Sequence, residues 1–309
     1  MKIVLTGGAG FIGSNLISRL QEFGGYEVVV LDNEVLGKRE FISDLRHEFV
    51  HGDIRDKPLV RRILRGADAV IHLAADTRVI PSIANPGFNM DVNVQGSFNI
   101  LEAMRETGVS RLVNASTGGA IMGEVEPPVH EDMTPRPASP YGASKLAVEG
   151  YCSAFAASYG MSCVSLRFSN VYGPRSFHKG SVIAHFMKQL LIGKPLEIFG
   201  DGSQTRDFVH VRDLSDGIVA ALQRKASGVF QLGTGKPTAV SEVIALLAEV
   251  TGLKPHAIYR EFRAGEVRHT WCKIDHARNS IGFNPGISLP EGLKDTWQWF
   301  LANRTRFDV

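Results

Sequence analysis

A tyrosine and a lysine in the middle of the chain have the spacing of an acid–base pair. Tyr141 and Lys145 are four residues apart, which is about one helical turn, so both side chains are expected on one helix face. An ammonium near a phenol favours the phenolate and lowers a pKa that is about 10 in an isolated tyrosine. A phenolate next to a bound dinucleotide can take a hydroxyl proton while the attached carbon gives up hydride. The pair therefore predicts an oxidoreductase-type enzyme that acts on a sugar or an alcohol.

A glycine-rich segment near the start of the chain has the spacing of a phosphate-binding loop. Thr6-Gly-Gly-Ala-Gly-Phe-Ile-Gly13 contains the Gly-x-Gly-x-x-Gly pattern, with a predicted strand before it and a predicted helix after it. Glycines allow a tight turn and let the backbone approach a pyrophosphate that lies on the helix N-terminus. The residues predicted to contact the dinucleotide are Gly7, Gly10, Phe11, Ile12 and Gly13.

Residues at the ends of the next strands fit the rest of the dinucleotide. Asp32 closes the second predicted strand, where its carboxylate would accept hydrogen bonds from the adenosine ribose. The same charge would repel a 2′-phosphate, so NAD is favoured over NADP. Asp53 and Ile54 follow the third strand and are expected at the adenine edge. Leu73, Ala74 and Ala75 end the fourth strand, where the cofactor backbone would pass.

These residues must be positioned by a regular framework, and the sequence predicts one. Short apolar runs alternate with helical patterns up to about residue 168, which indicates βαβ units and a parallel sheet. We therefore expect an α/β fold with a Rossmann-type, doubly wound parallel sheet over residues 1–168, rejoined by segments near 207–236. Residues 169–309 are expected to form mainly a smaller, mixed α/β lobe that binds the substrate.

Bulk properties argue against several classes of protein. The 309 residues carry a formal net charge of +2 and no long run of Lys and Arg, so no nucleic-acid partner is expected. The three cysteines form no C-x-x-C pair, and no Cys/His cluster has metal-ligand spacing, so no metal is predicted. No segment approaches the roughly 18–20 apolar residues of a membrane span, and the chain starts directly in a strand, so a cytoplasmic protein is expected.

Further motifs extend along the whole chain in a fixed order. Beyond the glycine loop and the Tyr/Lys segment they are His72–Ala75, Asn93–Gly96, Ala115–Thr117, Arg167–Arg175, Gly202–Val211 and Arg263–Glu266. As a set they resemble the extended short-chain dehydrogenase/reductase family, in its NAD-dependent nucleotide-sugar epimerase/dehydratase branch. The pattern is closest to that of the UDP-hexose 4-epimerases.

The resemblance implies roles for individual residues. Tyr141 would deprotonate a sugar 4-hydroxyl as its C4 hydride passes to NAD+, and Lys145 would lower the tyrosine pKa and bind the nicotinamide ribose. Thr117 would hydrogen-bond the 4-oxygen and relay its proton, with Ser116 as a further catalytic candidate. The other implied positions are Asn33 and Asn93 for the cofactor, and Asn170, Arg206, Arg263, Thr270 and Arg175 for a nucleotide sugar.

The residues after Thr117 bear on which reaction follows C4 oxidation. A 4,6-dehydratase of this branch would have Asp-Glu there and a UDP-glucuronate decarboxylase a Ser-Glu pair, whereas this chain has Gly118 and Gly119. Elimination then has no visible acid and base. Two glycines leave space for a ketose that turns over and takes hydride on its opposite face, which is 4-epimerisation. A 4,6-dehydratase, a decarboxylase, a 4-ketoreductase and a non-catalytic NAD-binding protein remain as alternatives.

Thr270 bears on the choice of sugar. It follows Arg263 by seven residues, where strict glucose/galactose epimerases of this branch have a bulky tyrosine. A small residue there predicts a wider pocket that accepts UDP-GlcNAc or UDP-glucuronate, besides UDP-glucose. The resemblance also implies a homodimer formed by the helices at 93–106 and 141–159.

Overall fold

The structure, a computed structural model, describes residues 1–262 and 267–307. Its strands are β1 (Lys2–Thr6), β2 (Glu27–Asp32), β3 (Glu48–His51), β4 (Ala69–His72), β5 (Arg111–Thr117), β6 (Ser162–Phe168), β7 (Asn170–Tyr172), β8 (Leu196–Phe199), β9 (Thr205–Arg206), β10 (Phe208–His210), β11 (Gly228–Leu232), β12 (Thr238–Ala239) and β13 (Ala257–Arg260).

Helices connect these strands. They are α1 (Phe11–Phe23), α2 (Lys57–Leu64), α3 (Val79–Ala84), α4 (Pro86–Met90), α5 (Gly96–Thr107), α6 (Gly118–Met122), α7 (Pro140–Tyr159), α8 (Val182–Leu191), α9 (Val211–Gln223), α10 (Val240–Thr251), α11 (Asp275–Ile281) and α12 (Leu289–Asn303). A π-helical turn, Asp91–Gln95, leads into α5. The short helices α3, α4 and α6 and the helices α9 and α11 were not predicted from the sequence, whereas the helix predicted at 93–106 begins within the π-helical turn.

A seven-stranded, all-parallel sheet in the order β11-β6-β5-β4-β1-β2-β3 forms the centre of the molecule. Its central strands are almost wholly buried because helices cover both faces, with one apolar cluster on each, while the edge strands β3 and β11 are only partly buried. The connections change direction between β1 and β4, and ligands of such sheets bind outside the carboxyl ends of the strands at that point. The predicted Rossmann-type fold is confirmed.

The second half of the chain forms a smaller lobe and also contributes to the main sheet. Three two-stranded ladders, β7 with β10, β8 with β13 and β9 with β12, lie beside helices α8, α10 and α12. An apolar core that includes Phe186, Leu293 and Phe300 holds this lobe together. Strand β11 pairs with β6 at the edge of the main sheet. The exact domain bounds stay a prediction.

Within residues 1–262 and 267–307, no helix is long and apolar enough to cross a membrane.

Candidate active site

Helix α7 carries the tyrosine and the lysine. It begins after Ser139, whose side chain accepts a hydrogen bond from Gly142 N, and Pro140 occupies its first turn. Tyr141 and Lys145 lie on one side of it and are 9% and 5% exposed. The side chain of Ser82, on α3, accepts a 3.2 Å hydrogen bond from Tyr141 N. The helix start is therefore fixed both by its own cap and by a neighbouring helix.

Thr117 meets Tyr141 from the end of strand β5. The Thr117 side chain lies next to the Tyr141 phenol and acts on its pKa, so the structure brings the predicted hydroxyl and phenol together. Burial raises the pKa of Tyr141 to about 12, the Thr117 side chain opposes that shift and the Asp76 carboxylate adds to it. The net direction differs from the one that the sequence predicted, because desolvation disfavours the phenolate more than its neighbours favour it.

Lys145 is held by the backbone rather than by the phenol. Its Nζ donates a 2.9 Å hydrogen bond to the carbonyl of Ala115, on β5. Burial lowers the pKa of Lys145 to about 8, while Cys152 and Glu149 on the same helix oppose that shift. The ammonium is thus directed at the strand end that carries Thr117.

Ser116 lies beside Thr117 but makes a different contact. Its Oγ donates a 2.6 Å hydrogen bond to Glu149 Oε1. Glu149 also accepts two hydrogen bonds from Arg167, at 3.0 Å from Nε and 2.8 Å from Nη2. The one proton of the Ser116 hydroxyl is therefore used within a buried cluster, and its catalytic role stays a prediction.

The glycine loop forms a close-fitting cradle at the start of α1. A Cβ atom on Gly13 would lie 2.6 Å from Gly7 O and 2.6 Å from Gly8 Cα, and one on Gly7 would lie 2.7 Å from Ala74 N. Gly7 also has φ +72°, which L side chains rarely adopt. Helix α1 begins after Gly10 without a side-chain cap or an acidic residue in its first turn, which Phe11 and Ile12 open. Its first N–H groups therefore suit a pyrophosphate.

Asp32 lies at the carboxyl end of β2, against that loop. Its carboxylate accepts hydrogen bonds from Ala9 N at 3.0 Å and Glu34 N at 2.8 Å. Burial raises its pKa, and the two N–H donors oppose this shift. Each carboxylate oxygen keeps a lone pair for a ribose hydroxyl. The residues around this loop therefore fit NAD.

The structure brings Asn33 and Asp53 together at the next strand end. Asn33 Nδ2 donates a 2.9 Å hydrogen bond to Asp53 Oδ2. Arg55 binds the same carboxylate and lowers the pKa of Asp53 to about 2. The Ile54 side chain is buried and packs against Gly96. A Cβ added to Gly96 would lie only 2.5 Å from Ile54 Cδ1.

The positions at the end of β4 connect the cofactor loop to the catalytic helix. Leu73 N donates to Thr6 O at 3.1 Å and Ala74 N to Thr6 Oγ1 at 3.2 Å, with Ala75 next in the chain. Asn93, in the π-helical turn, binds the backbone of Asp76 on both sides, accepting from its N–H at 2.8 Å and donating to its carbonyl at 3.0 Å. Its amide also donates to Ser144 at 3.0 Å. Asn93 therefore fixes α7 and the β4 loop relative to each other.

Two of the predicted substrate residues, Thr270 and Arg206, lie at strand β9 in the second half of the chain. Thr270 lies beside Thr205, and its N–H donates a 3.2 Å hydrogen bond to Thr205 O. Its Oγ1 is 3.8 Å from the position that a Cβ would take on Gly119, so it faces the glycine pair that follows Thr117. Arg206 donates to the carbonyls of Thr205 and Arg268, each at 2.9 Å.

Three further candidates have different outcomes. Asn170 joins β7 to β10 through a 2.9 Å hydrogen bond from its N–H to Asp207 O. Arg175 binds Asp44 at 2.6 Å and the carbonyl of Phe41, which ties its loop to the segment after β2. Arg263 lies outside the described residues.

Sequence reasoning missed Asp76, Glu149 and Arg167. Asp76 is 6% exposed, raises the Tyr141 pKa and accepts a 2.9 Å hydrogen bond from Arg78 Nε. A signal existed for the other two, since Arg167 is a charge inside a predicted buried strand and Glu149 follows Lys145 by four residues. Buried charges are almost always paired.

Comparison with known proteins adds to this geometry. Residues 3–233 match the model of the NAD dependent epimerase/dehydratase family. A putative UDP-glucose 4-epimerase of Methanocaldococcus jannaschii is 42% identical over 305 residues, covering 97% of this chain and 99% of that protein. A UDP-glucuronate 4-epimerase of Thermodesulfobacterium geofontis is 35% identical over 316 residues, covering 97% and 96%. The crystal structure of Thermus thermophilus UDP-glucose 4-epimerase in complex with NAD matches with a TM-score of 0.91 at 38% identity, covering 97% and 99%.

Proposed function

Since the chain belongs to the NAD dependent epimerase/dehydratase family, we propose that it is a 4-epimerase of a nucleotide sugar. The observation that carries the proposal is the position of the Thr117 side chain next to the Tyr141 phenol, with Gly118 and Gly119 directly after Thr117 in the chain. Helix α6, which these glycines begin, contains no carboxylate, so the usual acid–base pair for elimination is missing from this position.

The reaction is balanced without an external oxidant. Tyr141, as phenolate, accepts the proton of the sugar 4-hydroxyl while the C4 hydride leaves, which gives a 4-keto sugar. After the sugar turns, hydride returns to the opposite face of C4 and Tyr141 returns the proton to the 4-oxygen. Thr117 orients that oxygen throughout. NAD+, when bound, would supply the acceptor for this hydride and the positive charge of its nicotinamide ring.

The raised pKa of Tyr141 sets a condition on this scheme. A tyrosine whose pKa is about 12 is a weak base at neutral pH, so a positive charge is needed near the phenolate. Lys145 lies one turn along the same helix and is the cation that this chain offers. Thr117 helps because its side chain, next to the phenol, lowers the Tyr141 pKa.

For the substrate we propose a UDP-sugar that carries a larger substituent than glucose does, such as UDP-GlcNAc or UDP-glucuronate. The support is the position of Thr270, whose Oγ1 is 3.8 Å from where a Cβ on Gly119 would lie, so that two small residues face each other at the glycine pair after Thr117. Arg206 and Arg263 are the proposed diphosphate contacts and Asn170 a further polar contact. The uridine is expected beside the segments near 177–181 and 195–199, the second of which contains β8.

We also propose a homodimer formed by α5 and α7. An aromatic cluster lies on these helices, in which Phe98 contacts Tyr151 and Phe155, with ring centroids 5.2 and 6.1 Å apart. Tyr151 and Tyr159 are 42% and 53% exposed, which is more than large aromatic side chains usually are without a partner surface. Sedimentation equilibrium of the protein and of Tyr151→Glu tests this, since a monomeric wild-type protein would contradict it.

The experiment for the function uses purified protein with no added cofactor. Proton NMR follows the anomeric signals of UDP-glucose, UDP-GlcNAc and UDP-glucuronate in separate samples. The C4-inverted product is expected with at least one of them, because NAD stays bound and is regenerated. A 4-keto product without inversion would indicate a dehydratase or a decarboxylase. Turnover that requires added NADPH would indicate a reductase.

A further inference from the structure

A row of polar side chains crosses the carboxyl end of the main sheet under the catalytic helix. Ser116 on β5 is in register with Arg167 on β6, which is in register with Gln231 on β11. Residues in register on neighbouring parallel strands point to the same face of a sheet. All three are buried, at 4%, 3% and 0% exposure. The interior here is polar, although apolar packing covers most of both sheet faces.

Glu149 on α7 closes this row into a charged cluster. It accepts hydrogen bonds from Ser116 Oγ at 2.6 Å and from Arg167 Nε and Nη2 at 3.0 and 2.8 Å. Arg167 Nη1 also lies 3.8 Å from Met122 Sδ, at the end of α6. Separating Glu149 from Arg167 would leave an uncompensated buried charge, which is costly. The two side chains are therefore held firmly in this arrangement.

The cluster connects every element that carries a catalytic group. Glu149 follows Lys145 by four residues and Tyr141 by eight, so all three lie along one side of α7. Ser116 directly precedes Thr117, and Lys145 Nζ binds the carbonyl of Ala115, the residue before Ser116. Strand β5 is therefore attached to α7 at two consecutive residues just before Thr117.

We propose that Glu149 and Arg167 are positioning residues, which fix Thr117 against Tyr141 through Ser116 and hold an anion one turn from the Lys145 ammonium. The inference rests on the proposed function for its kinetic consequences. It does not depend on which sugar is the substrate. Neither residue needs to touch the substrate or the cofactor.

The charges around Lys145 determine the expected effect of pH. The titratable groups that act on it or that it acts on are Cys152 and Glu149 on α7 and His72 on β4, and Arg167 on β6 binds Glu149. Burial lowers the pKa of Lys145 to about 8 and Glu149 opposes this shift. Without the Glu149 charge the pKa falls further, so the ammonium is lost at a lower pH. The alkaline limb of the rate profile then moves to lower pH.

The decisive variant is Glu149→Gln, which keeps the size and an oxygen acceptor but removes the charge. We expect kcat to fall roughly 10- to 100-fold, as for a small misplacement of catalytic groups, with KM changed less than about twofold. We also expect the alkaline limb of the kcat profile to shift downward. The matched control is Glu102→Gln, which removes the ion pair between Glu102 on α5 and Lys57 on α2, away from the cluster, and should leave both readouts unchanged.

Two further variants separate positioning from folding. The double variant Glu149→Gln/Arg167→Met removes both charges. Compared with Glu149→Gln alone, it should regain thermal stability, but neither kcat nor the pH of the alkaline limb should return to the wild-type value. Arg167→Lys keeps the positive charge but cannot donate the two parallel hydrogen bonds to Glu149. It should lower kcat while shifting the pH of the alkaline limb less. Full recovery of rate and limb by the double variant would overturn the proposal.

One readout is independent of the proposed function. Lysine ¹³Cε NMR, with Lys145 assigned by Lys145→Met, measures its titration directly in the wild-type protein and in Glu149→Gln. A lower midpoint in Glu149→Gln is expected even if no tested sugar is epimerised, which would refute the proposed function alone. An unchanged midpoint together with an unchanged kcat would overturn this inference.

Discussion

The side chain of Thr117, at the end of strand β5, lies next to the phenol of Tyr141, in the first turn of helix α7, and lowers its pKa. The two residues are 24 positions apart in sequence, and the strand and the helix are held together by Lys145 Nζ bonding to Ala115 O. This arrangement can hold one oxygen atom of a substrate between two hydroxyl groups. The predictions below follow from it and from the contacts around it.

Removing the phenol should stop proton transfer and leave the fold intact. For Tyr141→Phe we expect kcat to fall by about 10²- to 10⁴-fold, the usual size of general acid–base catalysis. The ring stays buried, so the melting temperature and the NAD content after purification should be close to those of the wild-type protein. A kcat within tenfold of wild type, with NAD bound, would show that Tyr141 is not the base.

Asp76 and Arg78 should shift the rate profile in opposite directions. Asp76 raises the pKa of Tyr141, and Arg78 neutralises part of the Asp76 charge. Asp76→Asn should lower the Tyr141 pKa, so the phenolate forms at lower pH and the acid limb moves down. Arg78→Gln should move the same limb up, because the Asp76 charge is then less compensated.

The measurement is the pH dependence of kcat for the two variants and the wild-type enzyme. Each variant serves as the control for the other, since a general loss of packing would move the acid limb in the same direction in both variants. Shifts of the same sign in both variants would contradict the account of the Tyr141 environment.

The size of residue 270 should select the sugar. Thr270→Tyr places a ring beside Gly119, so turnover of UDP-GlcNAc or UDP-glucuronate should fall at least tenfold, while UDP-glucose turnover is kept. Thr270→Ser has nearly the same volume and is the matched control. The kcat/KM ratios for the three sugars measure the effect. If Thr270→Tyr left the larger sugars unaffected, the gate would have to lie elsewhere.

The cradle should not tolerate a methyl group at Gly13. A Cβ there would meet the backbone of Gly7 and Gly8 at 2.6 Å, so Gly13→Ala should destabilise the protein by about 1–3 kcal/mol and release NAD. Gly87→Ala is the control, because no atom lies within 4 Å of its added Cβ, and we expect a change of about 0.5 kcal/mol or less. Urea unfolding and the NAD content of the purified protein provide the two readouts.

The sequence predicted the parts of this protein that depend on spacing. The glycine loop, the strand-end carboxylate Asp32 and the Tyr141–Lys145 pair all follow from local periodicity, and the parallel sheet follows from alternating apolar runs. The direction of the Tyr141 pKa shift could not be predicted, since it depends on burial by elements distant in the chain. The partner of Ser116 is Glu149, 33 residues away, and no local pattern links them.

The most direct test of the central claim uses UDP-sugars with deuterium at C4 and protein without added cofactor. If C4 is oxidised and the same hydride returns from bound NAD, the inverted product should retain the deuterium, and kcat should show a primary isotope effect where hydride transfer limits the rate. Proton NMR of the product reads the retention directly. An inverted product that has exchanged its deuterium for solvent hydrogen, or a 4-keto sugar that accumulates without inversion, would contradict the account.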